Sequence, residues 1–121
     1  MGAAPSRNVE NVNSETSSKI ILKQGVLKLM CNLQRADDLQ FQAACEQLCK
    51  QQGNEFLIDL TLCTYINSLG IGSLVDTVTQ LKTDGKQVTV KVSPEIGRFL
   101  HMAHLYHLFS YQIVEPGTVP E

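Results

Sequence analysis

Residues 87–100, QVTVKVSPEIGRFL, change period at their centre. Gln87–Val92 alternates strictly between polar and apolar residues, as a strand with one buried face does. Ser93-Pro94 then offers a hydroxyl for a helix cap and a ring whose fixed φ suits the first helical turn. Behind it, Ile96, Phe99, Leu100 and Ala103 recur at helical spacing and form the stripe expected to be buried. A strand that passes straight into a helix belongs to a sheet whose helices carry the chain back between parallel strands.

The rest of the chain fits that frame. Lys19–Lys23 (KIILK) and Val26–Leu33 (VLKLMCNL) are apolar runs parted by Gln24-Gly25, which reads as a hairpin. A helix is expected next in ADDLQFQAACEQLCKQQGN, capped by Asp37 or Asp38 and ended by Gly53 in the left-handed conformation. Glu55–Leu60 (EFLIDL) is a short strand. From Leu69, the residues Ile71, Leu74, Val75, Val78 and Leu81 recur at helical spacing until Gly85 closes the segment. Leu108–Val114 reads as a last strand. The expected class is α/β, a mixed sheet with helices between strands in the order β-β-α-β-α-β-α-β. Residues 1–18 are polar and without period, so they read as a flexible N-terminal tail; 19–115 form the domain and 116–121 a C-terminal tail. The opening MGAAPS fits a myristoylation pattern, but the polar remainder lacks the basic cluster that stable anchoring needs, and a plain tail is preferred.

Composition narrows the function. With 12 acidic and 10 basic residues the net charge is −2, which disfavours nucleic acid or an anionic membrane as the main partner. No apolar run approaches the roughly 18 residues of a membrane span. Cys31, Cys45, Cys49 and Cys63 have neither CxxC pairing nor zinc-like spacing, and buried cysteines are expected. Reduced thiols without a secretory signal suggest the cytoplasm. Reactive groups do not converge. SLGIGS lacks the lysine of a phosphate-binding loop, and Gly70 and Gly72 are followed by Val75 where a dinucleotide fingerprint has glycine. His101, His104 and His107 are spaced by three with no nameable further ligand, so they read as histidines near a helix end. Neither an enzyme, a metal site nor a cofactor is expected.

The stretch Phe56–Val114 resembles the STAS domain, the fold of bacterial anti-sigma factor antagonists. FLIDL (Phe56–Leu60) is similar to the family's apolar strand ending in Asp-Leu. Asn67, Ser68, Leu69, Gly70, Ile71 and Gly72 stand in the positions of its Asp-Ser-Ser/Thr-Gly-Leu-Gly loop, and the glycine-ended helix, alternating strand and Ser-Pro helix start follow in order. The resemblance implies a regulatory protein–protein interaction module. In switching members, a partner kinase phosphorylates the hydroxyl residue before the first motif glycine, and the added charge opposes docking. Here that residue is Leu69. Asn67 replaces the usual Asp, and Asn32, Leu33 and Gln34 stand where the family often has Glu-Leu-Asp, so three acidic positions around the loop are neutral amides. His104 stands where the family usually places glycine, at the end of the last long helix.

The expected partner surface is the loop and helix start Tyr65, Asn67, Ser68, Leu69, Gly70, Ile71 and Leu74, with Ile66 as part of an apolar patch. The expected partner is a regulatory protein such as a kinase-like anti-sigma factor. Gly70 and Gly72 would let the backbone approach closely. Ser68 reads as the N-cap of the helix, with a relocated phosphosite the weaker reading. The rival functions are a fixed STAS subunit of a transporter or other assembly, and a nucleotide- or lipid-binding STAS domain.

Overall fold

The structure is a computed structural model that describes residues 19–115; both expected tails lie outside the described residues. Gly25, at φ +78°, sits in the two-residue turn that folds β1 (Ile20–Lys23) onto β2 (Val26–Leu29). The two pair antiparallel, Lys23 opposite Val26 and Ile20 opposite Leu29. A short 3-10 turn, Arg35–Asp37, leads into α1 (Asp38–Cys49). Then come β3 (Glu55–Leu60), α2 (Ser68–Thr83), β4 (Gln87–Val92), α3 (Pro94–Met102) and β5 (Gln112–Ile113). The sheet order is β1-β2-β3-β4-β5, parallel from β2 onward. This is the mixed α/β architecture expected from the sequence.

One face of the sheet builds the core. Leu27, Ile58 and Val90 are in register across three strands and fully or almost fully buried. Leu60 and Val92 form the next row. The residues between them point the other way and are half-buried, with Lys28 Nζ 4.0 Å from Asp59 Oδ2 on that side. The parallel strands therefore alternate rather than reading as continuous apolar runs, because one face is covered more fully than the other. The covering comes from α1, through Phe41, Ala44, Cys45 and Leu48, and from α2, through Ile71, Leu74, Val78 and Leu81. Each large side chain so buried contributes roughly 1.5–3 kcal/mol.

The helix ends report local sequence closely. After α2, Gly85 (φ +80°) donates its N–H to the Lys82 carbonyl and Lys86 donates to Leu81, a Schellman closure. After α3 the same pair of bonds forms from His104 N to His101 O and from Leu105 N to Leu100 O. His104 takes the left-handed position at φ +60°, where the family resemblance implied glycine. At the start of α3, Ser93 Oγ accepts the Ile96 N–H, with Pro94 in the first turn.

Four local expectations need correction. α1 ends at Cys49 with bonds from Lys50 N to Gln47 O and from Gln51 N to Leu48 O. Gly53 is left-handed at φ +117° but lies in the following loop, after the helix has already closed. Asp37 stands at the N-cap of α1 yet its carboxylate accepts the Gln34 N–H and caps the 3-10 turn instead. Phe99 and Ala103 are exposed, so only Ile96, Gly97 and Leu100 of α3 are buried. The last strand is two residues long, because the chain from Ala103 to Ser110 spends itself in turns.

Candidate docking site at the β3–α2 junction

The junction is shaped by side chains that take over backbone hydrogen bonds. Past Leu60, Asp59 Oδ1 accepts both the N–H and the hydroxyl of Thr61, at 2.9 and 2.8 Å, which turns the chain off the sheet. Asn32, beyond β2, then clasps the loop. Its Oδ1 accepts the N–H groups of Thr64 (2.7 Å) and Tyr65 (3.2 Å), and its Nδ2 donates to Thr64 Oγ1 at 3.0 Å. Ser93 Oγ donates to the Cys63 carbonyl, so the same loop is anchored to the start of α3.

Asn67 is the N-cap of α2: extended at φ −85° and ψ 175°, its Oδ1 accepts the Gly70 N–H at 2.7 Å. This corrects the expectation of Ser68, which is the first helical residue; the helix begins one residue earlier than its apolar period indicated. The Asn67 Nδ2 donates to Asp38 Oδ1, at 3.1 Å, at the first turn of α1. An amide does both jobs at once, accepting on one side and donating on the other. A carboxylate at 67 would keep the cap but face the carboxylate of Asp38.

The proposed partner residues divide by burial. Tyr65 and Leu69 are exposed, at 59% and 63%, and Ser68 is exposed beside them; Asn67 is half-buried. Gly70, Ile71 and Leu74 are interior, and Leu74 is fully buried. They cannot meet a partner; they belong to the helical stripe that the 3.6-residue period turns inward. Ile66 is also buried, at 8%. It lies against the bare backbone of Gly70, where a Cβ would come within 2.8 Å of Ile66 Cγ1. Gly72 has open space around it, so close approach explains Gly70 alone.

Sequence reasoning missed Leu39. It is the most exposed large apolar residue described, at 78%, one residue after Asp38 in α1. The Asp38–Asn67 hydrogen bond ties the two helix starts together, so Leu39, Tyr65 and Leu69 stand at neighbouring helix N-termini on one end of the molecule. No local pattern announces this, because Leu39 falls outside the Phe41–Ala44–Cys45–Leu48 stripe. The Asp37 carboxyl is held below its usual range, chiefly by the Gln34 N–H and then by Lys19 Nζ at 3.0 Å.

Two further features lie apart. A groove of about 510 Å³ between α1 and α2 is lined in part by Cys45, Cys49, Glu46, Asp76 and Asp84. Its carboxylates outnumber Lys50, the wrong sign for a phosphate ligand. The Cys45 thiol, buried beside it, is pushed up to about 12 by desolvation. On α3, Phe99 and Met102 form a second exposed apolar cluster. All four cysteines are free; Cys45 and Cys63 are buried, Cys49 is half-buried, and Cys31, expected inside, is exposed. Among the described residues no helix is long and apolar enough to cross a membrane.

Comparison with known proteins places this geometry. The family model described as "Mlab, STAS domain" matches residues 19–114. No curated protein matches the chain. Among solved structures, that of a protein assigned as a candidate anti-sigma factor antagonist from Thermotoga maritima superposes with a TM-score of 0.59. It shares 14% identity, covering 80% of this chain and 86% of that one, a likeness that speaks to the fold.

Proposed function

The chain belongs to the STAS domain family, and from that premise we propose that it is a non-catalytic regulatory module that docks a partner protein through the exposed helix starts at the β3–α2 junction. The observation that supports this most is Leu69, largely exposed next to Tyr65 at the N-terminus of α2. An apolar side chain left in water at a rigidly clasped loop is the kind of surface that association buries. Leu69 has no hydroxyl, so the surface stays uncharged at the position that switching relatives phosphorylate. Control would then reside in the partner's abundance or in the partner itself, and a regulatory protein of the kinase-like anti-sigma type fits this role. The module is expected to work in the cytoplasm.

The test is a parallel capture from native lysate with wild type, Leu69→Glu and Phe99→Glu as bait. Both substitutions are at exposed positions and should leave stability within about 0.5 kcal/mol. The docking reading expects one regulatory partner retained by wild type and Phe99→Glu and lost by at least tenfold with Leu69→Glu. Retention by Leu69→Glu with loss by Phe99→Glu moves the interface to α3. Recovery of membrane transport subunits in place of a regulator identifies a fixed member of a larger assembly.

A further inference from the structure

Two cysteines from different loops meet beneath the docking surface. The Cys63 Sγ lies 3.1 Å from the Cys31 carbonyl oxygen, so the buried thiol is turned toward Cys31. Cys31 follows β2 and is exposed; Cys63 follows β3 and is 1% exposed. These strands are parallel neighbours, about 4.8 Å apart. Their last registered pair is Lys28 with Asp59, shortly before both cysteines. A disulfide needs Cα atoms about 4.4–6.8 Å apart, and it is the contact of the Cys63 sulfur with the Cys31 backbone that brings these two loop residues into that neighbourhood. The other near pair does not meet the requirement. Cys45 and Cys49 are one turn apart on α1, where Cβ atoms stand about 5–6 Å apart, whereas a disulfide holds them at about 3.5–4.5 Å.

We propose that Cys31 and Cys63 are a thiol–disulfide exchange site, in which exposed Cys31 captures a low-molecular-weight disulfide and Cys63 resolves it into an internal bridge. The Cys31 thiolate attacks one sulfur of the small disulfide, forms a mixed disulfide and expels one thiolate. Cys63 gives its proton to solvent base and attacks the Cys31 sulfur, expelling the second thiolate. Two protein thiols are oxidised to one disulfide, and the small disulfide is reduced to two thiols. Roles follow from the environment. Burial, then the neighbouring Cys31 and Asp59, push the Cys63 thiol up to about 12, so it stays protonated and does not initiate. Resolution is therefore the slow step and quickens as pH rises. The bridge would lie next to the Asn32 clasp and tie the end of β2 covalently to the docking loop.

Oxidised glutathione is the probe, with the intact folded chain, read by intact mass and a non-reduced peptide map. The expected result is a transient adduct on Cys31 that gives way, faster at alkaline pH, to a product lighter by two hydrogens with Cys31 linked to Cys63. Cys31→Ser should form neither species, and Cys63→Ala should stop at the adduct. A persistent adduct on wild-type Cys31, a bridge between any other pair, or no reaction at Cys31 would overturn the proposal. Wild type alone decides it, so a poorly folding Cys63 variant leaves the test intact.

Discussion

Asn67 and Asp38 are joined at 3.1 Å, amide to carboxylate, across the starts of two helices, while the other end of the same amide caps α2. The arrangement explains why a neutral residue suits this chain at a loop position where the family resemblance implied an acid. The carboxylate is present, but it comes from α1.

Exchanging the partners tests that relationship. Asn67→Asp keeps the cap acceptor yet sets two carboxylates against each other and removes a hydrogen bond, which should cost about 1–2 kcal/mol. Adding Asp38→Asn restores one donor and one acceptor, and most of the loss should return. Urea unfolding of the two single variants and the double variant reads the coupling directly. Additive losses would show that the pair does not interact.

Asn32 supports the patch without belonging to it. Asn32→Ala removes three hydrogen bonds to Thr64 and Tyr65, all at exposed positions, so the global loss should be about 1 kcal/mol. The local effect should be larger. Amide exchange at Thr64 and Tyr65 is expected to accelerate at least tenfold, and partner affinity to fall although no exposed apolar residue has changed.

Acid stability should depend on Asp37. Its folded pKa lies below the ordinary carboxylate value, first through the Gln34 N–H and next through Lys19. The unfolded chain binds the proton more readily, so this contribution is fully present above the unfolded value and is lost as pH falls through the folded one. Asp37→Asn should flatten the acid limb of stability against pH while leaving its shape above about pH 6 unchanged. An unaltered acid limb in thermal melts would contradict this.

At the end of α3, His104 holds a left-handed backbone that glycine adopts freely. His104→Gly should raise stability by about 0.5–1 kcal/mol, since the Schellman bonds remain and the strained Cβ is gone. A loss instead would mean that the ring packing with Tyr106, at 6.4 Å between centroids, outweighs the backbone term.

What the sequence made legible was local. The strict alternation of Gln87–Val92, the Ser93-Pro94 start and the Gly85 stop each act within a few residues, and each is found where it was read. The junction was only half legible, because its decisive contacts span about thirty residues: Asn32 to Thr64 and Asp38 to Asn67. Ile71 and Leu74 show the converse. Their spacing already assigned them to the buried stripe, and grouping them with the exposed loop followed the motif rather than the period. Phe99 sits at the margin of an amphipathic stripe, where a one-residue rotation decides exposure, whereas Leu39 lies on the face of α1 opposite its stripe and became a candidate only when the fold set it beside Tyr65 and Leu69.

The short β5 strand has its own consequence. Only Lys91 with Gln112 and Val92 with Ile113 are registered there, and Ile113 rests over Gly97, where a Cβ would come within 2.7 Å of its Cδ1. So small a zip, leaning on a helix with no side chain at the point of contact, is the natural place for native breathing to begin. Peeling that margin away leaves β1 to β4, α1 and α2 in place. Motion there would reach the candidate site through Ser93, the residue after Val92, whose hydroxyl holds the Cys63 carbonyl of the β3–α2 loop.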